Sequence, residues 1–194
     1  MCESVNLVGI FTRNIEVLTS QSKLYSCHAY NDSRELLLDL NVEAVYISSP
    51  NAIHYDQVKQ CLINNKHVIV EKSAFTSLEQ AKEIIDLAKR KNRVIMEAFM
   101  FLYHRQFYDL KKLIESGKYG KMLFLEANFG FPHLSKDNIR YSKELAGGAL
   151  NDAGAYTICA ILNLLGSDSE LVFSNLNTED GYEVDTSGIA IFKK

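Results

Sequence analysis

The sequence contains no tryptophan, only two prolines and no apolar run that approaches the roughly 20 residues of a membrane span. Its first ten residues, MCESVNLVGI, lack the basic region and the long apolar core of a signal peptide. The charge is nearly balanced, with 21 basic and 24 acidic residues and no basic block. These absences argue against a membrane protein and against a nucleic-acid partner, and they favour a cytoplasmic location.

Four cysteines occur, and none forms a C-x-x-C pair or lies at metal-ligand spacing from a histidine. Cys61 and Cys159 fall among apolar positions, so we interpret both as small core residues. The pattern predicts no metal site and is typical of a protein of the reducing cytosol.

Hydrophobic residues make up 47% of the 194 residues and charged residues 23%, which is typical of a globular chain of one domain or two small ones. Apolar runs predict strands over residues 5–10, 24–29, 44–48, 67–70, 93–96, 122–129, 171–176 and 188–192. Apolar residues at helical spacing predict helices over 33–39, 54–65, 106–116 and 152–165, and one that begins after Ser77. Strands separated by helices favour βαβ units with a parallel sheet in the first half, followed by an α+β second half.

The helix after Ser77 has the clearest start signal in the sequence. Ser77 and Gln80 fit a capping box, which satisfies backbone N–H groups at the first turn of a helix. The apolar positions predict the face that packs on the core, formed by Leu78, Ala81, Ile85 and Ala88.

Polar side chains follow two neighbouring predicted strands. Ser49-Pro50-Asn51 and His54 come after the strand over 44–48, and Glu71-Lys72 comes after the strand over 67–70. Ligands bind beyond the carboxyl ends of the strands in an open α/β sheet, so both loops are candidates for one crevice. A partly buried lysine there can protonate or polarise a carbonyl oxygen. The alternative interpretation is a helix-initiating turn and a solvated loop lysine.

A second candidate site precedes the apolar helix over 152–165. Asp152 and Tyr156 are four residues apart, so they share one helical face near its N-terminus. A carboxylate and a phenol that face one crevice can hold and protonate a sugar oxygen. The alternative interpretation makes Asp152 a helix N-terminal charge and Tyr156 a core aromatic.

Taken in order, the sequence reads P-N-x-x-H, strand, E-K, capped helix, strand, M-E-A-F, helix, strand and G-G-A-L-x-D-x-G-x-Y. This order resembles the glucose–fructose oxidoreductase / inositol dehydrogenase (Gfo/Idh/MocA) family, and the stretch from Phe131 to Tyr156 is most similar to its nucleotide-sugar 3-ketoreductases. The resemblance implies an α/β fold in two parts. Residues 1–100 would form a Rossmann-type NAD(P)-binding domain with a doubly wound parallel sheet, and residues 101–194 an α+β open-faced sheet domain for substrate binding and dimerisation.

The resemblance also implies roles for individual residues. Lys72 matches the lysine that contacts substrate and nicotinamide, Tyr156 the general acid of the ketoreductases, and Asp152 the acidic residue that orients the substrate. The other candidates match the cofactor side of the site: Thr12, Arg13, Ser49, Pro50, Asn51, His54 and Glu71. Because an arginine after this strand can accommodate a 2′-phosphate, NADP is expected in preference to NAD. Lys72 is expected to stabilise a developing alkoxide and to lower the pKa of the Tyr156 phenol.

The sequence departs from the family pattern in several features, among them Leu102 and Arg105, which stand where close relatives often carry Arg and Pro. No G-x-G-x-x-G segment occurs in the 194 residues, and Ser73 replaces the proline of the family's E-K-P motif. The chain is therefore expected to lack the family's first βα unit and to stop before the substrate sheet is complete. An incomplete sheet leaves an open edge and an uncovered apolar face, which predicts a homo-oligomer.

Together these features favour an NAD(P)-dependent oxidoreductase that acts on a sugar or a nucleotide-sugar. One alternative is a related enzyme for free sugars, inositol or trans-dihydrodiols. The absent glycine turn favours a second alternative, a non-catalytic truncated remnant that binds a sugar or a partner chain.

Overall fold

The computed structural model describes residues 5–194. The elements of the first half are β1 (Gly9–Phe11), α1 (Ile15–Tyr25), β2 (His28–Tyr30), α2 (Ser33–Leu38), β3 (Ala44–Ile47), α3 (His54–Ile63), β4 (His67–Val70), α4 (Leu78–Lys91) and β5 (Ile95–Glu97). Those of the second half are α5 (Arg105–Glu115), α6 (Ala155–Leu165), β6 (Glu170–Asn177) and β7 (Ser187–Lys193). Within residues 5–194, no helix combines the length and the apolar character that crossing a bilayer requires.

The strands of the first half form two parallel sheets. β1 pairs with β2, and β4 lies between β3 and β5, with Val68 opposite both Val45 and Ile95. In the part of the chain that the structure describes, no strand joins β1 to β3. The second half contributes the antiparallel hairpin of β6 and β7. The predicted α/β class, with parallel βαβ units first and an α+β region after them, is confirmed.

The main core lies between the sheet of β3, β4 and β5 and the helices α3 and α4. Its buried side chains are Ile47, Val58, Cys61, Leu62, Val68, Val70, Ala74, Ile84 and Ala88. Burial raises the pKa of the Cys61 thiol to about 12, which fits the packing role predicted for this residue. This core holds the loops after β3 and β4 at one edge of the sheet.

Helix α4 begins as predicted, because the Ser77 hydroxyl accepts a hydrogen bond from the Gln80 N–H at 3.2 Å. Its buried face differs from the predicted stripe. Ile84 and Ala88 are buried, whereas two members of the predicted stripe are exposed, Leu78 and Ile85. The apolar face of this helix can include either Ile84 or Ile85, so packing against α3 decides which of the two faces the core.

Helix α1 has no counterpart in the sequence prediction, and its last residues take the place of the first part of the strand predicted over 24–29. The β-branched residues Ile15, Val17 and Thr19 weaken the helical pattern of this segment. The helix is stabilised at its start by the side chain of Asn14, which accepts hydrogen bonds from the N–H groups of Glu16 and Val17.

Two other predicted strands also differ from the structure. β1 begins at Gly9 rather than at residue 5, because its pairing with β2 covers only three residues. Residues 122–129 form no strand. A strand needs a neighbour to satisfy its N–H and C=O groups, and no strand of residues 5–194 pairs with this segment.

Candidate active site

The loops that follow β3 and β4 meet the second half of the chain in a cleft of about 170 Å³. Six predicted site residues line the cleft: Ser49, Pro50, Asn51, Glu71, Lys72 and Asp152. Parallel strands bring their carboxyl ends to one edge of the sheet, which is why the two loops lie together. The Asn51 side-chain amide closes the cleft against the second half by donating to the Ala146 carbonyl oxygen at 3.2 Å.

Lys72 is held by Asp152 across this cleft. Its Nζ donates to Asp152 Oδ1 at 2.5 Å and to the Asp152 carbonyl oxygen at 2.9 Å. The two side chains are 14% and 15% exposed, so the ion pair is largely shielded from water. An ammonium group carries three N–H donors, which leaves one for a substrate oxygen.

Arg140 completes this ion-pair network, although the sequence assigned it no role. Its Nε donates to Asp152 Oδ2 at 2.7 Å, so both carboxylate oxygens of Asp152 are engaged by cations. Arg140 lies on a short 3₁₀ turn, Ile139–Tyr141, that is capped by Asn138. Neither helical nor strand periodicity relates positions 140 and 152. The one available signal is the position of this arginine shortly before the Gly-Gly pair.

Gly147 and Gly148 allow the turn that carries Arg140 to approach. A Cβ atom on Gly147 would meet the Arg140 carbonyl, and Gly148 has a φ of +106° that disfavours any side chain. The Gly148 N–H donates to the Arg140 carbonyl oxygen at 2.8 Å. The chain then enters a π-helical turn, Leu150–Gly154, which carries Asp152 and leads into α6.

Tyr156 lies one helical turn after Asp152. The Lys72 Nζ stands 5.1 Å from the centroid of the Tyr156 ring, so the lysine packs over the face of the phenol. Three phenylalanine rings pack edge-on or tilted around it: Phe99, Phe101 and Phe129. The structure therefore brings Lys72, Asp152 and Tyr156 together.

The phenol of Tyr156 has a raised pKa. Burial is the main cause, and the negative charges of Glu71 and Asp152 add to it. The pKa of this phenol is therefore raised, where Lys72 was expected to lower it, and the cation that opposes the rise is Arg140. A phenol with a raised pKa keeps its proton at neutral pH and is available as a general acid.

Glu71 has a partner outside the two loops. The Tyr46 hydroxyl on β3 donates to its carboxylate. This hydrogen bond, followed by burial, raises the pKa of Tyr46 to about 12. Tyr46 is thus a second phenol at the same strand edge, and the sequence did not single it out.

His54, Thr12 and Arg13 do not line the cleft. His54 is fully buried, and its ring nitrogens face the carbonyl oxygens of Ser49 and Ser73, so it offers no polar atom to a ligand in the cleft. Thr12 and the exposed Arg13 follow the carboxyl end of β1. A part in cofactor binding stays a prediction for all three, and for His54 it would act through the loops it joins.

Replacing Asp152 by alanine is expected to lower the free energy of unfolding by about 2–3 kcal/mol. Breaking a buried ion pair costs about 3–5 kcal/mol because it leaves an uncompensated charge, and the partial exposure of this pair reduces that cost. Urea unfolding followed by circular dichroism measures it. The matched control is Asp109→Ala, whose carboxylate pairs with Arg105 on the exposed face of α5. An equal, small loss in both variants would show that the network stabilises nothing.

Two family descriptions match the chain. An oxidoreductase family with an NAD-binding Rossmann fold, Gfo/Idh/MocA, matches residues 1–99, and a Gfo/Idh/MocA C-terminal domain matches residues 107–193. The chain is 31% identical to a dTDP-3,4-didehydro-2,6-dideoxy-alpha-D-glucose 3-reductase of Streptomyces violaceoruber, covering 94% of this chain and 54% of that protein. It is 34% identical to the enzyme of the same name from Actinomadura kijaniata, covering 78% of this chain and 46% of that protein.

Comparison with solved structures finds similarity to the same kind of enzyme. A point mutant of a 3-ketoreductase from Actinomadura kijaniata, solved with TDP-benzene and NADP, superposes with a TM-score of 0.89 at 29% identity. The match covers 95% of this chain and 57% of that one. The chain thus spans about half the length of the curated relatives that it matches. The resemblance inferred from the motifs is confirmed, and the chain belongs to the Gfo/Idh/MocA oxidoreductase family.

Proposed function

We propose that this protein is an NADP-dependent oxidoreductase that acts on a sugar linked to a nucleotide. The observation that carries the proposal is Lys72, held by Asp152 and packed on the ring of Tyr156, beyond the carboxyl end of β4. The similarity to dTDP-sugar 3-reductases supports the substrate class. We further propose that residues 1–100 bind the coenzyme, that residues 101–194 bind the substrate, and that the protein works in the cytoplasm.

The carboxyl ends of the parallel strands provide groups that fit a dinucleotide. Arg13, exposed after β1, suits a 2′-phosphate, and residues 49–51 with Glu71 and Lys72 form the wall of the cleft on the side of the Rossmann half. NADPH, when bound, supplies a hydride to a ring carbonyl carbon.

Residues of this chain protonate the oxygen of that carbonyl and stabilise the negative charge that develops on it. Tyr156 donates its phenolic proton to the oxygen as negative charge develops there. The free N–H of Lys72 stabilises the same charge. Asp152 holds the ammonium of Lys72 in place, and Arg140 fixes the second oxygen of the Asp152 carboxylate.

The test of the function is a titration followed by a substrate panel. Isothermal titration of the purified chain with NADPH measures coenzyme binding, and NADPH absorbance then follows reduction of a dTDP-linked 3-keto sugar. Reduction of the nucleotide-linked substrate, with free keto sugars much slower, supports the proposal. Failure to bind NADPH, both in residues 1–194 and in the chain extended by the glycine-rich βα unit of a family member, would overturn it in favour of a non-catalytic protein that binds a sugar or a partner chain.

The same panel decides between enzyme classes. Relatives of this chain include a D-xylose 1-dehydrogenase (NADP(+)) of Haloferax volcanii and a trans-1,2-dihydrobenzene-1,2-diol dehydrogenase of Xenopus laevis. Oxidation of free xylose, inositol or a trans-dihydrodiol at rates above those with nucleotide-linked sugars would place the protein in that group instead.

Arg13→Ala is expected to weaken NADPH binding about tenfold or more and to leave NADH binding nearly unchanged. A charge-assisted contact to the 2′-phosphate contributes about 1.5–3 kcal/mol, and NADH lacks that group. Calorimetric titration of the chain extended by the glycine-rich βα unit of a family member measures the difference between the two coenzymes, with Arg105→Ala as the surface-arginine control. An equal loss for both coenzymes would refute the assignment of Arg13.

The β6–β7 hairpin suggests an assembly as well. Its large apolar side chains are each about half exposed: Leu171, Val172, Phe173, Leu176, Ile189 and Ile191. Apolar patches of this kind mark interaction surfaces, and we propose that a second copy of the chain covers this one. Sedimentation at tens of micromolar is expected to show a dimer or larger species, and a monodisperse monomer would contradict the proposal.

A further inference from the structure

His54, the buried histidine at the start of α3, has a backbone carbonyl oxygen as the partner of each of its two ring nitrogens. His54 has no exposed surface. Its Nδ1 lies 2.9 Å from the Ser73 carbonyl oxygen, and its Nε2 lies 2.7 Å from the Ser49 carbonyl oxygen. Both partners are backbone carbonyls, which can only accept hydrogen bonds.

A neutral imidazole cannot satisfy this arrangement. It carries one N–H, and its second nitrogen is an acceptor, so one contact would set two lone pairs against each other in a buried place. An imidazolium donates from both nitrogens and satisfies both carbonyls. We propose that His54 is a buried imidazolium that joins the loop after β3 to the loop after β4 and thereby positions Lys72.

The carboxyl group that interacts with the His54 ring is Glu97. Glu97, at the end of β5, is close enough for the charge of His54 to act on its carboxylate. Burial raises the pKa of Glu97, while a hydrogen bond from the Ala74 N–H at 2.8 Å and the charge of His54 oppose that rise. The other ionisable groups nearby are Lys72, next to Ser73, and Cys159 of α6, which lies near Glu97.

His54 affects the cleft because the residue that it contacts, Ser73, is the neighbour of Lys72 in the chain. Ser73 directly follows Lys72, and its hydroxyl also donates to the Asn151 carbonyl oxygen at 3.0 Å, next to Asp152. The His54 ring therefore fixes the backbone from which Lys72 reaches Asp152. The charge of His54 and its contacts with the two loops do not depend on any enzymatic activity. Only the role of Lys72 as a substrate contact rests on the proposed function.

The test is a long-range ¹H–¹⁵N correlation spectrum of the 194-residue chain with ¹⁵N-labelled histidine. The chain has five histidines, and His54→Gln identifies the signal of His54. In the folded chain we expect both ring nitrogens of His54 to carry a proton, because both face backbone carbonyl oxygens. A bare nitrogen on the His54 ring would overturn the proposal. If the glutamine variant does not fold, replacing the other four histidines one at a time identifies the signal in the folded protein.

A second measurement tests the positioning of Lys72. Reductive methylation followed by mass spectrometry reports how accessible each lysine Nζ is. In folded His54→Gln we expect Lys72 to react at least threefold faster, and in the surface control His133→Gln at the wild-type rate. Unchanged protection of Lys72 in folded His54→Gln would show that His54 does not position it. Because neither measurement uses activity, a failed reductase assay leaves both outcomes readable.

Discussion

Changing Tyr156 to phenylalanine is expected to lower turnover by about 10²–10⁴-fold, the usual contribution of general acid catalysis. The change removes the hydroxyl and keeps the ring that packs against Phe99, Phe101 and Phe129. Affinity for NADPH is therefore expected to change little. Steady-state NADPH oxidation measures the effect, in the chain extended by the glycine-rich βα unit of a family member, since residues 1–194 contain no G-x-G-x-x-G.

The controls for this prediction separate the proton donor from its surroundings. Tyr108→Phe removes the hydroxyl of an exposed tyrosine on α5 and is expected to leave turnover unchanged. Lys72→Met removes the charge that is proposed to stabilise the same oxygen, and it is expected to be at least as damaging as Tyr156→Phe. Because both residues are proposed to act on one oxygen, the double variant should lose far less than the product of the two single losses. Near-wild-type turnover of Tyr156→Phe would instead make Asp152, or a water that it holds, the leading candidate for the acid.

The raised pKa of Tyr156 sets the sign of the pH dependence. A general acid loses activity as the pH rises through its own pKa, and burial with the charges of Glu71 and Asp152 moves that value upward. The loss of reduction rate that is due to this phenol is therefore expected only in strongly alkaline solution.

Ile84→Ala is expected to destabilise the protein by about 2–5 kcal/mol, the range for removing a buried aliphatic side chain and leaving a cavity. Ile84 is 0% exposed within the core between the sheet and helices α3 and α4, whereas its neighbour Ile85 is 45% exposed. Ile85→Ala is the matched control, because it makes the same chemical change one position away in α4. Its cost is expected to stay below about 1 kcal/mol.

Urea unfolding of both isoleucine variants also tests which isoleucine of α4 faces the core. The stripe read from the sequence places Ile85 on the core face, and the structure places Ile84 there. A larger loss for Ile85→Ala than for Ile84→Ala would contradict the packing described above. The m-value should stay the same in both variants, because neither changes the surface exposed on unfolding by much.

Elements with strong local signals could be predicted from the sequence. Strand β4 has the predicted bounds, His67–Val70, because a short β-branched run between a turn and a polar loop has few other conformations. Helix α4 starts after Ser77 as predicted, because the cap is a contact between neighbours in the chain. The residues that carry the family resemblance are likewise local motifs, and they were sufficient to indicate the family.

Other features depend on partners far along the chain. Residues 122–129 have a strand-like pattern but no neighbouring strand in the described part of the chain, and α1 forms where the pattern is weak. Periodicity cannot choose between Ile84 and Ile85, because that choice is made by the surface of α3.

In the candidate site too, some features could be predicted from the sequence and others depend on the folded chain. The motifs indicate that Lys72, Asp152 and Tyr156 belong to one site, since each has a recognisable place in the family pattern. Their electrostatics could not be read from the motifs, because Lys72 and Asp152 are 80 positions apart and Arg140 reaches Asp152 through a glycine-lined turn. Only the folded chain shows that Asp152 compensates both cations and that burial raises the pKa of Tyr156, because charge and solvent exposure depend on every element packed around a group.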